Sequence, residues 1–264
     1  MLGDFDLILH QFPEDIDIYP VADVHLGAME CAESEWRAFL KRVESENAYL
    51  ILAGDLLNNG TRNTHFVNPF NEKIRPREAK KLMTEALEPV KDRILCVCGG
   101  NHEGRTSKES DQDLTMDICS KLGIEKLYRE NMAVMCLALG QRSNAPTKAK
   151  ATYNFVVTHG TGGGIYTGAS VNRDERFGNI VSDLDCLITA HIHKGFITKP
   201  SKIRIDARNR CVKQESYVVI SCVSWLNYGG YAAQKMLLPA WICDPQRIHL
   251  AGSQWDKKKI TTTW

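Results

Sequence analysis

Residues 94–103 have the sequence ILCVCGGNHE, in which five apolar residues pass directly into glycine, asparagine, histidine and glutamate. The short apolar run, closed by two glycines, predicts a strand from Ile94 to Cys98. Its polar end carries side chains that bind metals and transfer protons. Open α/β sheets bind their ligands at the carboxyl ends of strands. The stretch therefore predicts an α/β fold with a site at this edge.

Four other segments share this pattern of an apolar strand that runs straight into polar side chains. They are Asp23-Val24-His25, Gly54-Asp55, Thr158-His159-Gly160 and His191-Ile192-His193. Taken singly, each is more often an ordinary turn or a chance pair than a site, since Gly-Asp and Gly-Asn are common turn sequences. Together with residues 101–102 they bring five of the eight histidines to strand ends in one order. Chance does not readily produce such a set.

The residue types in these segments suit one kind of chemistry. Carboxylate, imidazole and carbonyl oxygen together are ligands for borderline divalent metals, among which we expect manganese first and iron, nickel or zinc as alternatives. A lone carboxylate can bridge two cations and hold them about 3.5–4 Å apart. At that spacing a bridging hydroxide can attack phosphorus while both ions hold the non-bridging oxygens. The pattern thus predicts a hydrolytic centre with two divalent metal ions.

The two halves of the chain differ in their predicted secondary structure. The first half alternates strands with helices, the clearest of which have apolar residues at helical spacing between residues 36 and 43 and between 79 and 87. The second half is mostly strands, including one predicted at 196–205, with a single helix at 172–181. We therefore expect an α/β sandwich of mixed sheets. Since no linker or repeat is visible, we expect a single domain over residues 1–264.

One helix start is predicted from a local motif. Ser110 and Asp113 resemble a capping box ahead of an apolar pattern that begins at Leu114.

Composition limits the classes of function. The formal net charge of +1 argues against a protein that holds nucleic acid by bulk charge alone. No apolar run approaches the roughly 20 residues that span a bilayer, and the acidic beginning of the chain is not a secretory signal. The nine cysteines are odd in number and contain no C-x-x-C pair, which indicates reduced thiols. We therefore expect a cytoplasmic protein that does not enter membranes.

As an ordered set, the motifs Asp-x-His, Gly-Asp-x-x-Asn, Gly-Asn-His-Glu, His-Gly and His-x-His resemble those of the calcineurin-like metallophosphoesterases, from Asp23 to His193. The resemblance implies a metallophosphoesterase sandwich of two mixed β-sheets flanked by helices. It also implies that His102 is a non-ligand that stabilises or protonates the leaving oxygen. The implied metal ligands are Asp23, His25 and His193 for the first ion, Asn101, His159 and His191 for the second, and Asp55 as the bridge.

Departures within the motifs bear on the substrate. The opening Asp-Val-His-Leu-Gly, residues 23–27, resembles SbcD-type DNA repair nucleases, whereas Gly-Asn-His-Glu is closer to serine/threonine phosphatases. The phosphatases carry an Asp-Arg pair where this chain has Asn58 and Asn59, so His102 would lack a carboxylate that raises its pKa. Residues 54–60, 99–105 and 159–164 also resemble small metallophosphoesterases of phages and prophages.

Residues outside the motifs are candidate substrate contacts. Backbone amides at Gly162 and Gly163 could approach a phosphate, although a flexible turn is an equal alternative. Arg105 and Asn58 are further candidates, with a solvated loop as the alternative for Arg105. For Arg62 and His65 we favour a surface role.

Two clusters lie further from the motifs. A basic hairpin after His193 could dock a polyanion or be an ordinary solvated hairpin. The aromatic residues Trp225, Tyr228 and Tyr231 could line a cleft, but we expect them to pack on the sheet. The basic residues of the hairpin are Lys199, Lys202, Arg204, Arg208, Arg210 and Lys213.

These observations favour a phosphodiesterase that acts on DNA, RNA or a nucleotide. The first alternative is a phosphomonoesterase that acts on a phosphoprotein or a metabolite, since the same metal ligands serve both reactions. A second alternative, a phosphate-binding module without catalysis, is disfavoured because every metal position and His102 are present. Substrate selection is expected to come from loops, chiefly residues 59–75 and 160–171. The sequence predicts no oligomeric state.

Overall fold

Within the part of the chain that the structure describes, the strands form two six-stranded sheets and one two-stranded ribbon. The computed structural model describes residues 6–64, 72–140, 150–164, 166–252 and 258–264. The strands are β1 (Leu7–Phe12), β2 (Ile16–Val21), β3 (Tyr49–Ala53), β4 (Ile94–Cys98), β5 (Tyr128–Arg129), β6 (Met132–Leu139), β7 (Ala151–Thr158), β8 (Cys186–Thr189), β9 (Phe196–Thr198), β10 (Ser201–Asp206), β11 (Cys211–Ser216), β12 (Val218–Ser221), β13 (Arg247–Ala251) and β14 (Lys259–Thr263).

Helices occupy the connections between several of these strands. None of the described helices combines the length and apolarity needed to cross a membrane. The helices are α1 (Glu33–Ser45), α2 (Pro76–Leu87), α3 (Glu103–Ser110), α4 (Leu114–Leu122), α5 (Thr167–Gly178) and α6 (Gly230–Gln234), with 3-10 turns at Glu88–Arg93 and Glu125–Leu127.

The first sheet has the strand order β14-β13-β2-β3-β4-β5. Strands β2 to β5 run parallel, and β13 runs antiparallel to both β2 and β14. Parallel neighbours need crossover connections, and α1 and α2 supply two of them. This arrangement brings the carboxyl ends of β2, β3 and β4 to one edge.

The second sheet has the order β1-β6-β7-β8-β12-β9. It is also mixed: β7, β8 and β12 run parallel to one another, whereas β6–β7 and β12–β9 pairs are antiparallel. Two large mixed sheets with flanking helices confirm the predicted metallophosphoesterase sandwich. The extent of one domain over residues 1–264 stays a prediction.

Apolar side chains between the two sheets form the central core. Ile51 and Ile18 of the first sheet and Phe155 and Ile188 of the second are fully buried in one cluster. On the outer face of the first sheet, α1, α2 and α4 cover a second cluster, and α5 packs on the outer face of the second sheet. Each fully buried aliphatic side chain contributes about 1.5–3 kcal/mol, so both sheets are held firmly where they meet.

Several predicted elements differ from the structure. Ser110 ends α3 instead of capping α4, because the Asp113 side chain accepts the Met116 N–H at 2.9 Å and is itself the N-cap. The predicted strand 196–205 is two strands, β9 and β10, in different sheets. Pro200 lies between them, and proline has no backbone N–H to donate to the hydrogen-bond ladder of a continuous strand. The predicted helix 172–181 begins earlier, at Thr167.

Candidate metal centre

The predicted metal ligands meet where the carboxyl ends of the two sheets come together. Asp23, Asp55 and Asn101 follow β2, β3 and β4, while His159 and His191 follow β7 and β8. Backbone hydrogen bonds tie these strand ends to each other: the Asp23 N–H donates to the Gly54 carbonyl at 3.1 Å, and the Ala190 N–H donates to the His159 carbonyl at 3.1 Å. The site thus depends on both sheets.

One group of ligand atoms consists of Asp23, His25 and His193, and we name it the first group. Each offers one atom, and the three atoms lie within 4.8 Å of one another. The Asp23 Oδ1 is 3.7 Å from His25 Nε2 and 3.4 Å from His193 Nε2. The two Nε2 atoms are only 3.1 Å apart. Three potential ligands therefore converge on one point.

A second group consists of Asp55, Asn101, His159 and His191. Ligand atoms of Asp55, His159 and His191 lie within 4.8 Å of one another. The Asn101 Oδ1 completes the group, at 2.9 Å from His159 Nε2 and 2.7 Å from His191 Nδ1. An amide oxygen between two imidazole nitrogens can serve as a further ligand of the same ion.

Asp55 lies between the two groups. Its Oδ2 is 3.8 Å from His25 Nε2 in the first group and 3.2 Å from His159 Nε2 in the second. Its Oδ1 accepts the backbone N–H of His102 at 2.8 Å, which fixes the orientation of the carboxylate. One oxygen of Asp55 is therefore within reach of both groups.

The hydrogen bonds of the ligands fit a metal-binding role. Asp23 Oδ2 accepts the His191 N–H at 3.0 Å, whereas its Oδ1 is buried and has no hydrogen-bond partner among the described residues. Burying a polar atom without a partner is costly, and a cation would satisfy this oxygen. His159 Nδ1 lies 2.8 Å from the Ala53 carbonyl and must donate to it, which leaves Nε2 as a ligand. The donor set fits divalent metals.

The backbone at the site is strained. Of the seven predicted ligands, five have positive φ angles, between 49° and 74°. This left-handed region is uncommon for non-glycine residues, and such strain often occurs at functional sites. A sequence pattern does not reveal this strain. The five are Asp23, His25, Asp55, His191 and His193.

Gly100 allows the loop after β4 to contact the loop after β3. A Cβ atom on Gly100 would lie 2.1 Å from the Asp55 backbone nitrogen and 2.2 Å from Asp55 Oδ1. Only a residue without a side chain fits there, and the Asn101-bearing loop can therefore approach Asp55 closely.

His102 lies beside both groups. Its Nδ1 is 2.7 Å from the Asn58 carbonyl and donates to it, so Nε2 faces Asp55 Oδ2 at 3.8 Å. Its ring also meets the His25 ring edge-on, with centroids 4.3 Å apart. Atoms of His25, Asp55 and His102 form a further set within 4.8 Å. The distances alone permit a ligand role, and the non-ligand role of His102 stays a prediction.

Two asparagines occupy the positions where the phosphatases pair aspartate with arginine. The Asn58 carbonyl orients His102 and also accepts Arg105 Nη1 at 3.1 Å, while its side chain donates to Glu72 at 3.0 Å. The buried Asn59 side chain donates to the His102 carbonyl at 2.7 Å. The Asn58 carbonyl thus orients the His102 ring, but burial and His25 still hold the His102 pKa low, whereas a carboxylate at this position would raise it.

Glu103 is a site residue to which sequence analysis assigned no role. It is 2% exposed, and its carboxylate accepts the Leu57 N–H at 2.7 Å and the Asp55 N–H at 3.2 Å. It therefore holds the loop that carries Asp55. The available signal was its place in the Gly-Asn-His-Glu segment, directly after His102.

The charges at the site act on one another. Burial raises the pKa of Asp55, but the nearby His102 and His159 outweigh burial and hold that pKa below its ordinary value. Burial lowers the pKa of His159, but the adjacent Asp55 raises it overall to about 10. Burial and the nearby His25 lower the pKa of His102 to about 3. The Asp55 carboxylate is therefore ionised, as a metal ligand must be.

A cleft of about 1730 Å³ opens over these groups. The candidate contacts Asn58, Arg105, Gly162 and Gly163 all line it, as does Arg62; His65 lies outside the described residues. Their role in substrate binding stays a prediction.

The aromatic cluster separates into two environments. Trp225 is fully buried, as expected, and packs against Trp36 with ring centroids 5.2 Å apart. The packing prediction is wrong for Tyr228 and Tyr231, which line the cleft and are 53% and 46% exposed.

The basic hairpin is the ribbon β10–β11, and half of its basic residues are engaged. Lys202 donates to the carbonyls of Gly178 and Val181 at 2.8 and 2.9 Å. Arg204 pairs with Glu215 at 3.0 Å and Lys213 with Asp206 at 2.8 Å. Neither β10 nor β11 contributes a described residue to the cleft, so the ribbon does not extend the metal site.

Comparison with known proteins gives one family and two structural likenesses. The family model for calcineurin-like phosphoesterases matches residues 17–195, and no curated protein matches the sequence significantly. Yfce, a phosphoesterase from E. coli, aligns over 94% of this chain and 98% of its own at 14% identity, with a TM-score of 0.41. A cold-active protein tyrosine phosphatase aligns over 94% of this chain and 77% of its own at 11% identity, with a TM-score of 0.34.

Proposed function

This chain belongs to the calcineurin-like phosphoesterase family, and from that premise we propose that it is a dinuclear phosphodiesterase whose substrate is a nucleic acid or a nucleotide. Family membership implies a metal-dependent hydrolase of phosphoric esters. The observation that carries the proposal is the position of Asp55 Oδ2, which lies 3.8 Å from His25 and 3.2 Å from His159. A single carboxylate oxygen between two groups of ligands suits two ions that share a bridge.

In this proposal the seven predicted ligands divide between two sites. Asp23, His25 and His193 hold one ion, and Asn101, His159 and His191 hold the other, with Asp55 shared. Divalent ions there, which we propose to be manganese, would activate water and polarise the phosphoryl oxygens. The chain itself fixes the ligands: the His191 N–H holds Asp23, the His102 N–H holds Asp55 and the Ala53 carbonyl holds His159.

His102 is proposed to serve the leaving group. Because its Nδ1 donates to the Asn58 carbonyl, Nε2 is the atom that faces the centre and can pass a proton to the departing oxygen. A phosphate anion beside this ring favours its protonated form. Help of this kind is typically worth about 10²–10⁴-fold in rate.

The size of the cleft supports a diester over a monoester. At about 1730 Å³ it exceeds the roughly 300–1,000 Å³ of common small-molecule pockets. A diester places a substituent on both sides of phosphorus and needs this room, whereas a small monoester does not. The absence of the phosphatase Asp-Arg pair at Asn58 and Asn59 agrees with this choice.

A substrate panel tests the proposal. The Mn²⁺-loaded protein would be assayed on bis-p-nitrophenyl phosphate, p-nitrophenyl phosphate, single- and double-stranded DNA, RNA and cyclic nucleotides. We expect a higher kcat/KM for the diester than for the monoester. Faster turnover of p-nitrophenyl phosphate would make the protein a phosphomonoesterase. Two bound ions without turnover of any substrate would make it a binding module.

A further inference from the structure

One wall of the cleft belongs to none of the metal-binding motifs. Residues 227–242, which include α6, form this wall, and both of its ends are fixed. At one end the Asn227 N–H donates to the Glu30 carbonyl at 2.9 Å, and at the other the Cys243 N–H donates to the Ser224 carbonyl at 3.1 Å. The wall therefore has a defined position on the protein.

That position is tied directly to the metal centre. The Trp225 N–H donates to the Asp23 carbonyl at 3.0 Å, and the Ser224 hydroxyl donates to the same carbonyl at 3.2 Å. Asp23 is a proposed ligand of the first ion. The wall begins two residues after Trp225, so its start is anchored to a residue of the proposed metal centre.

The wall presents aromatic rings to the cleft. Tyr228 and Tyr231 line it while remaining about half exposed, although the fully buried Trp225 shows that this part of the chain can pack an aromatic ring completely. Aromatic rings that line a cleft offer flat apolar faces with a polar edge. Such faces suit stacking against a planar ligand group such as a nucleobase.

The charges in the cleft favour an anionic ligand. Apart from the proposed metal centre, its described lining has four basic residues (Arg62, Arg105, Lys194 and Lys235) and two acidic ones (Glu30 and Glu72). Glu72 is occupied by hydrogen bonds from the Asn58 side chain and the Gly60 N–H at 3.0 and 2.6 Å. Positive charge and aromatic rings within one cleft are the combination by which proteins bind unpaired nucleotides.

We propose that Tyr228 and Tyr231 form a base-stacking wall, so that the preferred substrate is a phosphodiester that carries an unpaired nucleobase. This inference rests on the proposed phosphodiesterase function and adds to it the group that is recognised beside the phosphate. Because bases in a duplex are stacked on each other, single-stranded nucleic acids and nucleotide esters fit the wall and duplexes do not.

Substrates with the same leaving group isolate the contribution of the base. Thymidine 5′-(p-nitrophenyl) phosphate and methyl p-nitrophenyl phosphate both release p-nitrophenolate from a diester, and only the first carries a nucleoside. The 5′-(p-nitrophenyl) phosphate of 1,2-dideoxyribose has the sugar without the base and separates the two contributions. The Mn²⁺-loaded wild type should prefer the thymidine ester. Stacking on an aromatic side chain is worth about 1–3 kcal/mol per base, so Tyr228→Leu and Tyr231→Leu should each raise KM for the thymidine ester by about 5- to 150-fold.

The methyl ester serves as the internal control. Its kcat/KM should stay within about twofold of wild type in both variants, which also shows that each variant is folded and loaded with metal. Met236→Ala is the matched control variant, because Met236 belongs to the same wall, is 85% exposed and does not line the cleft. It should leave both substrates unchanged.

The outcomes separate this inference from the proposed function. If the wild type turns over both esters equally, or if the tyrosine variants lose the methyl ester as much as the thymidine ester, the base-stacking wall is wrong while the phosphodiesterase stands. If neither diester is hydrolysed with both ions bound, the proposed function fails first.

Inhibition of methyl ester hydrolysis gives a second readout. Thymidine monophosphate should inhibit wild type more strongly than inorganic phosphate does, and the variants should lose that difference.

Discussion

Asp55 determines whether the two groups of ligands act as one centre. Its Oδ2 faces imidazoles of both groups, while its Oδ1 is held by the His102 N–H at 2.8 Å. His25, by contrast, is a predicted ligand of the first ion only. We therefore expect substitutions of Asp55 and of His25 to reduce the metal content by different amounts.

Replacing Asp55 should affect both ions, and replacing His25 mainly one. We expect Asp55→Asn to abolish phosphodiesterase activity and to weaken both metal sites, because the shared negative charge is lost. His25→Ala should leave about one ion per chain. Metal content by elemental analysis, measured beside activity, checks both variants. Equal metal content and activity in wild type and Asp55→Asn would contradict the shared bridge.

His102 should matter for the leaving group and not for metal content. We expect His102→Ala to retain both ions, to lose about 10²–10⁴-fold in kcat on a diester with a poor leaving group, and to lose less on a p-nitrophenyl ester, which needs no proton. Metal content and kcat on both substrates are the measurements. Loss of an ion would instead make His102 a ligand, and equal losses on both substrates would make it a positioning residue.

At the scale of elements, the loop after β3 is attached to the start of α3. Glu103, in the first turn of α3, accepts the N–H groups of Asp55 and Leu57. A second hydrogen bond joins the same two segments: the Asn59 side chain donates to the His102 carbonyl at 2.7 Å. The carboxyl ends of β3 and β4 are thus held by buried polar contacts that apolar packing alone would not provide.

Removing the Glu103 carboxylate should destabilise this connection. In Glu103→Ala two buried N–H groups lose their acceptor, at about 1–3 kcal/mol each, so we expect a loss of roughly 2–6 kcal/mol in the free energy of unfolding and weaker metal binding. Glu103→Gln keeps one acceptor and should lose less. Urea unfolding and metal titration of both variants check this. An alanine variant as stable as wild type would contradict the positioning role.

The pairing of β2 with β13 should depend on pH. Arg247 and His249 form hydrogen bonds to the Asp17 carboxylate at 2.6 and 2.9 Å. Burial raises the pKa of Asp17, but these two partners hold it below its ordinary value of 3.8. A carboxyl whose pKa is lowered on folding stabilises the protein above its unfolded pKa, and this stabilisation is lost as pH falls through the folded value.

The corresponding variant is Asp17→Asn. It should be less stable than wild type at pH 7 by up to about 1 kcal/mol, and the difference should shrink as pH falls below about 4. Thermal unfolding of both proteins between pH 7 and pH 3 measures it. A difference that is the same at pH 3 as at pH 7 would show that Asp17 acts through packing instead of charge.

At the scale of the whole molecule, the site exists only because two sheets meet. The sequence could predict the strands that carry its residues, since β3, β4 and β8 are short apolar runs closed by polar motifs, and the bounds of β4 agree with the predicted ones. The edge strand β1 was not predicted. Leu7 and Leu9 in it are 52% and 68% exposed, and its partner β6 lies more than 120 residues away in the chain, so pairing and not local pattern forms it.

The surroundings of the ligands were the least predictable part. Whether Tyr228 packs or lines a cleft depends on contacts with Glu30 and Ser224 at the ends of its wall, which no local pattern contains. Asn58 illustrates the same limit, because its backbone carbonyl, and not its side chain, orients His102. Every residue has a backbone carbonyl, so a sequence motif does not show which carbonyl will orient a catalytic side chain.

The central claim is that seven side chains from both sheets hold two divalent ions that share Asp55. An anomalous-scattering map of crystals soaked with Mn²⁺ tests it most directly. We predict two peaks per chain, one among Asp23, His25 and His193 and one among Asn101, His159 and His191, with Asp55 in contact with both. No peak at these residues, a single peak without Asp55, or a metal bound by cysteines would contradict the account.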